Sequence, residues 1–453
     1  MRRAISPRHI DMCEGPILKN LIPYAIPLIL SGVLQLLFNA ADMVVVGRFC
    51  GSVSVGAVGA TGSLINLLVN LFMGLSTGSG VAVAMSIGKG DREQTHRTVH
   101  TAMLLSVVAG AVITFLGIFL TKPLLVLMAT PDDVLDLAEL YVRIYFLGSI
   151  PNALYNFGAA IMRANGDTRR PMTYLIVAGV ANVLLNILFV TALQLDVAGV
   201  ALATALSQLL SAVLVIHALM NQHDAIRLEI SRLRMYAQEV KSILKIGIPA
   251  ALQGCTFSIS NMLIQSSVNS FGTAAVAGIA ASSSVMGFTY TAMNSFRQAT
   301  LNFVGQNFGA AKFDRVRRVV WNSILCVTVV GVVMGLCSII FATPLLKMYI
   351  TDSADAIQYG IVRTWWFGIT YFLAGIMEVF MGALQGLGKS TVSMLINVFC
   401  TCFIRIIWIL TIFAAIPTLN TLYVSYPISW GLAIAVEATA FFSIIKKKQK
   451  ETV

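Results

Sequence analysis

The sequence predicts an all-α polytopic membrane protein: twelve transmembrane helices in two six-helix bundles, related by a pseudo-two-fold axis along the membrane normal. Three observations carry this. The 453 residues are 57% hydrophobic and only 11% charged, with a mean hydropathy of +0.82, whereas a soluble domain has about 25% charged residues. Long apolar runs alternate with short polar loops along the whole chain. The second half of the chain repeats the first.

The apolar runs are 17–46, 54–86, 98–120, 137–161, 172–192, 199–220, 243–268, 275–307, 319–341, 357–384, 392–414 and 425–445. Each exceeds the roughly 20 residues needed to cross a bilayer core. The opening segment MRRAISPRHIDMCEGP has basic residues but no apolar signal-peptide core before Asp11 and Glu14, so the first run is expected to be its own insertion signal.

The loops set the orientation. One side carries the tail with Arg2, Arg3, Arg8 and Lys19, and the loops with Lys89, Arg92, Arg97, Arg163, Arg169 and Arg170. It also carries the linker, the loop Lys312–Arg318, Lys389 and the lysine-rich C-terminus, for 24 basic residues against three (Arg48, Lys122 and Lys347) on the other side. By the positive-inside rule this predicts a multi-pass protein of the cell membrane with both termini cytoplasmic. The net charge of +11 is spread over these short loops, which argues against a nucleic-acid partner.

The repeat is read from ordered matches. Ile26-Pro27 matches Ile248-Pro249 and Asn39 matches Asn261 at an offset of 222. Gly51 matches Gly272, Ala60 matches Ala281, Gly88 matches Gly309 and Arg97 matches Arg318 at 221. Pro123-Leu124-Leu125 then matches Pro344-Leu345-Leu346, Val142-Arg143 matches Val362-Arg363, and Gly166 matches Gly388. Six helices per repeat is an even number, so both halves enter from the same side, as in parallel-repeat transporters. The expected organisation is an N-terminal lobe 1–220, a cytoplasmic linker 221–242 and a C-terminal lobe 243–453.

Asp42 is the one acid within the first apolar run, and Gln35 and Asn39 precede it on the same helical face. An acid inside a membrane helix points to a cation or proton site; the plainer alternative is an acid near the helix end paired with Arg48. Asn182 and Asn186 share a face of the fifth helix, Asn152 and Asn156 a face of the fourth, and Thr204 lies in the sixth. Amide and hydroxyl oxygens around a carboxylate suit a small hard cation such as Na⁺, although such residues also glue helices together. The second half has Ile264 where Asp42 would repeat, and the seventh helix offers the uncharged Gln253, Thr256 and Ser260. Glu378 is the other deep acid. It is a candidate for substrate or proton binding, or for a structural bridge to Arg405; Arg297 and Glu437 have no evident partners. The seven cysteines lie mostly in apolar runs and lack metal-site spacing, so neither disulfides nor a metal centre is expected from them. No HExxH pattern is present and no catalytic constellation is evident, which argues against an enzyme.

The segments PLILSGVLQLLFNAADMVVVGR and GKGDREQTHRTVHTAMLLS with its echo VGQNFGAAKFDRVRR, together with MRANGDTRRP echoed by LQGLGKS and the stretch following YPISWG, resemble the multidrug and toxic compound extrusion (MATE) family. The resemblance spans essentially the whole chain. It implies secondary active antiport: export of small amphipathic organic cations in exchange for Na⁺ or H⁺ by alternating access, with no cofactor beyond the coupling ion and a monomer as the working unit. It also implies that Asp42 is the coupling acid and a possible Na⁺ ligand, with Asn182 and Thr204; Asn186, beside Asn182 on its helix, and Asn39, beside Asp42 on its own, complete the coupling candidates. Gln35, Asn152, Asn156, Gln253, Ser260 and Glu378 are the candidates for the substrate cleft. Asn186 departs from the Asp found in one branch of the family, the helix 7 acid of some members is missing, and Glu378 stands about a turn from the helix 10 acid of others. A lipid-linked oligosaccharide flippase of the same superfamily is the alternative; its diphosphate cargo would call on Arg297, Arg405 and Arg363.

Overall fold

The computed structural model describes residues 9–128, 130–351 and 353–452. The tail residues Arg2, Arg3 and Arg8, used above to assign orientation, lie outside them. The described residues are helical almost throughout and contain no strand. In chain order the helices are α1 (Ile17–Phe49), α2 (Ser52–Lys89), α3 (Arg92–Leu127), α4 (Asp132–Leu147), α5 (Ser149–Ala164), α6 (Arg169–Ile187) and α7 (Asp196–Met220). After them come α8 (Ala237–Asn269), α9 (Thr273–Gly309), α10 (Phe313–Ile340), α11 (Ala342–Lys347), α12 (Ala354–Gly386), α13 (Ser390–Asn397), α14 (Ile404–Trp408) and α15 (Leu419–Thr452).

These segments join into twelve passes. Among the described residues, ten stretches are long and apolar enough to cross a membrane on their own. Of the other two passes, one is broken into two short helices and one is diluted by polar groups. One is α4 with α5, broken at Gly148, where an added methyl group would meet Gln208 Oε1 and the α7 backbone. The other is α9, which carries Asn294, Arg297, Gln298 and Asn302. Helix α6 runs on into a π-turn, Leu188–Ala192, and α13 and α14 are each followed by one, Val398–Phe403 and Ile409–Phe413. The first and last of these turns start 221 residues apart, one short of the offset of 222 between Gly166 and Gly388. A π-turn widens the helix and leaves its carbonyls poorly matched, and it marks functional positions more often than chance.

By packing, the described residues form two units: Ile26–Ala251 with those preceding Met12, and Met12–Ala25 with those from Leu252 onward. Helices α1 and α8 thus contribute to both, changing membership beside Pro27 and Pro249, each of which removes one helical hydrogen bond.

The first unit has two principal apolar cores. One gathers Val83, Phe157, Ile161, Met162, Leu219 and Ile243; the other gathers Val46, Phe72, Tyr141, Tyr145, Val190 and Val200. Asp91 caps α3 by accepting the Gln94 amide at 2.9 Å. The Ile10 amide donates to the Gly166 carbonyl (3.2 Å), and Gly166, at φ +96°, leaves no room for a side chain against Ile10. That close approach is the structural reason for glycine in the MRANGD motif. Gly74 and Gly78 of α2 likewise sit on the backbone of α8 at Ala251 and Ile243. The linker is tied down: Ile226 and Leu228 are buried in the first core, the Glu229 amide donates to His100 Nε2 (3.0 Å), and the Tyr236 amide donates to Thr101 (3.2 Å).

In the second unit α12 packs against α9, α10 and α15. The segment Met12–Ala25 is fastened there: Asn307 donates to the Met12 carbonyl (2.9 Å), and Arg315 donates to the carbonyls of Glu14 (2.7 Å) and Gly15 (2.8 Å).

Candidate cation site

The candidate site in the first unit is assembled by three helices. Asp42 projects from α1, Asn182 and Asn186 from α6, and Thr204 from α7. Asn186 Nδ2 donates to Asp42 Oδ1 at 2.6 Å and also approaches Asn182 Oδ1 at 3.3 Å. Asn182 Nδ2 in turn donates to Thr204 Oγ1 at 3.3 Å, and the Thr204 hydroxyl donates to the Val200 carbonyl at 3.0 Å. Carboxylate, two amides and a hydroxyl therefore form one continuous hydrogen-bonded line. Asn186 is 0% and Asn182 5% exposed, while Asp42 is half-buried.

The sequence builds this line locally. Asn182 and Asn186 are four apart, so they stack on one face of α6. Gly179, one turn earlier, has no room for a methyl group because the Phe38 ring of α1 lies on it. Phe38 and Asp42 are also four apart, so the glycine–ring contact brings the carboxylate alongside Asn186. The π-turn starts two residues after Asn186, and its Val190 packs in the same apolar core as Val45, Val46, Tyr141 and Tyr145. Asn186 Oδ1 is buried and has no hydrogen-bond partner among the described residues. An orphaned buried oxygen next to a carboxylate is costly unless something positive completes it. The oxygen set suits a small hard cation.

The remaining candidates behave differently. Asn39 and Gln35 are exposed and lie outside this line. Asn156 Nδ2 donates to its own neighbour, Asn152, at Oδ1 (2.6 Å). Arg48 is exposed and forms no ion pair with Asp42 among the described residues. In the second unit, Gln253 Oε1 accepts from Gln385 Nε2 (3.0 Å), Gln253 Nε2 donates to Ser393 Oγ (3.5 Å), and Ser260 donates to the Thr401 carbonyl (3.5 Å).

Glu378 does not bridge to Arg405. Its Oε2 lies 3.0 Å from Arg297 Nε, and the Tyr290 hydroxyl donates to its Oε1 at 3.5 Å. Arg405 is buried elsewhere, donating to Ser429 Oγ (3.0 Å) with its guanidinium 4.1 Å from the Tyr426 ring centre. Sequence reasoning left Arg297 and Glu437 without partners and passed over Asn397 and Gln385 altogether. Arg297 holds Glu378 and reaches Gln385 Oε1 (3.2 Å), and Glu437 accepts from Asn397 Nδ2 (2.7 Å). The missed signal was available: Asn397 follows Ser393 by four residues, the same spacing as the asparagine pairs that were singled out.

Twelve helical passes in two sequence repeats, with a buried polar line inside one of them, define a polytopic α-helical membrane transporter. The chain belongs to the MatE family, whose sequence pattern matches residues 27–188 and again 249–411. Among similar proteins, "Probable multidrug resistance protein YpnP" of Bacillus subtilis is 27% identical over 85% of this chain and 86% of its own. "Multidrug export protein MepA" of Staphylococcus saprophyticus is 21% identical over 83% of each. A solved structure described as the outward-facing conformation of a multidrug resistance MATE family transporter superposes with a TM-score of 0.91, at 21% identity, covering 98% of this chain and all of that one.

Proposed function

We propose that this chain is a secondary active antiporter that exports small amphipathic organic cations in exchange for Na⁺ or H⁺, with Asp42 as the coupling acid and both termini in the cytoplasm. The observation that carries the reading is the line Asp42–Asn186–Asn182–Thr204, with its orphaned Asn186 oxygen. The names of the multidrug relatives support the cargo class.

In this reading a monovalent cation from outside binds at Asp42 and completes the oxygen set. The carboxylate is then neutralised, and the organic cation loses the charge that held it. The two repeats next exchange access, and the ion leaves to the cytoplasm. The membrane potential adds about 2.3 kcal/mol per charge per 100 mV. The flippase alternative gains nothing from the arginines it would call on: Arg297 is neutralised by Glu378, Arg405 is buried against Tyr426, and Arg363 lies over the Phe367 ring and donates to Ser282.

The test uses purified protein in liposomes with ethidium as the probe, first under a Na⁺ gradient at constant pH and then under a pH gradient without Na⁺. One of the two gradients drives ethidium movement, and Asp42→Asn abolishes it with unchanged yield and elution. Ion-driven transport retained by Asp42→Asn would overturn the assignment.

A further inference from the structure

The second unit contains a carboxyl group that this function does not use. Glu437, on α15, is 0% exposed and belongs to no ion pair among the described residues. Its Oε1 accepts from Asn397 Nδ2 at 2.7 Å and from Ser393 Oγ at 3.4 Å. Its Oε2 is buried with no hydrogen-bond partner among the described residues, and so are Asn397 Oδ1 and Ser390 Oγ. Ser390, Ser393 and Asn397 are spaced by three and four residues, so they line one face of α13.

No cation pairs with this carboxyl among the described residues. On α12, which packs along α15, Glu378 is held by Arg297, Arg363 donates to Ser282 Oγ (3.3 Å), and Tyr371 stacks on Trp430. Helix α13 carries no titratable group, the π-turn after it carries the thiols Cys400 and Cys402, and Arg405 of α14 donates to Ser429 and stacks on Tyr426. Lys389, at the head of α13, is exposed. A naked carboxylate in this setting would lack compensation for its lost hydration. A proton on Oε2 removes the charge and turns the orphaned acceptor into a donor.

The arrangement has a counterpart in the first unit. There too an asparagine just before a π-turn donates its Nδ2 to a carboxyl on another helix, at 2.6 Å for Asn186–Asp42. The registers differ: the repeat offset of 222 carries Asn186 onto residue 408, so Asn397 stands eleven residues earlier in its repeat, about 16 Å along the helix axis. The same pairing chemistry thus recurs at a different level of the repeat.

We propose that Glu437 is a second proton-exchange site, holding a proton on Oε2 that passes to and from water as the protein cycles. Only the link of this exchange to turnover rests on the antiport reading. No bond other than O–H forms or breaks, and the proton acceptor is water.

The test is infrared spectroscopy of the full chain in liposomes, comparing wild type with Glu437→Gln in H₂O and in D₂O during ethidium transport. The expected difference spectrum contains one protonated-carboxyl C=O band per chain, which shifts in D₂O. Absence of the band means an ionised Glu437 and overturns the proposal. A band that stays unshifted in D₂O through turnover means a permanently held structural proton and overturns it as well. Asn397→Ala supplies an independent readout should Glu437→Gln fail to fold. With one donor to Oε1 gone, the band moves to higher frequency, and an unmoved band is contrary to the proposal. Failure of the Asp42 assignment is registered separately, as retained transport in Asp42→Asn, and leaves this spectrum unchanged.

Discussion

Asn186→Ala is the sharpest test of the oxygen-cage reading, because it removes two things at once. It deletes the 2.6 Å donor to Asp42 Oδ1 and the buried Oδ1 that has no other partner. A hydrogen bond to a charged group is worth about 1.5–3 kcal/mol, and each 1.4 kcal/mol is about tenfold in affinity. If Na⁺ binding draws on that alignment, the half-saturating Na⁺ concentration rises about ten- to hundredfold. The loss should fall on ion affinity rather than on the fold, since the apolar core around Tyr141, Tyr145 and Val190 is untouched. The assay is ²²Na⁺ binding to purified protein, paired with Na⁺-dependent ethidium transport in liposomes. Asn186→Asp supplies an oxygen at the same reach together with a charge, and restores binding. A half-saturating concentration unchanged within about twofold in Asn186→Ala, or no Na⁺ binding by the wild type, would refute the cage.

Gly179→Ala pushes the Phe38 ring off α6 and with it draws Asp42 from Asn186; ion binding weakens severalfold although the substituted residue bears no ligand, as ²²Na⁺ titration will report. Glu378→Gln leaves Arg297 without its counter-charge in the second unit, where their side chains are 3% and 16% exposed. Breaking such a pair costs about 3–5 kcal/mol, and Glu378→Gln combined with Arg297→Met recovers most of it in thermal unfolding, whereas additive losses would show that the pair is not coupled. Asp42→Asn, in contrast, keeps the wild-type melting temperature while losing transport, which separates a working acid from a structural one.

The twelve passes were legible because a bilayer forces every span to satisfy its backbone internally, so length and hydropathy carry the information. The run 98–120 grew into α3, Arg92–Leu127, and 237–269 replaced 243–268, because polar first turns such as Arg92–Arg97 are helical yet invisible to an apolar count. Four of the five coupling candidates came together: Asn182 and Asn186 share a face of α6, and the family resemblance supplied Asp42, Asn182 and Thr204 as a set. Asn39 did not: sharing a face of α1 with Asp42 says nothing about which neighbouring helix that face meets. Spacing failed in the same way for Glu378. Its partner lies on α9, a pass diluted by Asn294, Gln298 and Asn302, and no periodicity links residue 297 to residue 378. The bridge to Arg405 was reasonable for a buried cation one pass on, but that guanidinium lies over the Tyr426 ring and donates to the Ser429 hydroxyl instead.

The two repeats have diverged in where they keep their acids, and the divergence follows a physical rule. In the first, the carboxylate is on α1 and its supporting amides are on α6, so one half-buried charge is held by neutral groups. In the second, Ile264 stands in place of that acid, and carboxyl groups appear instead on α12 and α15. Glu378 there is balanced by an arginine; Glu437 is not. A buried ion pair such as Glu378–Arg297 resists changing its charge state, because removing either charge strands the other. A carboxyl held only by amides and hydroxyls has no such lock, since its partners stay neutral whether it carries a cation, a proton or nothing. Asp42 and Glu437 share that feature, and each is held by an asparagine placed just before a π-turn. In the antiport proposed above, a chain that loads and unloads a charge inside the membrane needs carboxyls of this unlocked kind; Asp42 and Glu437 meet that requirement, and the arginine-paired Glu378 does not.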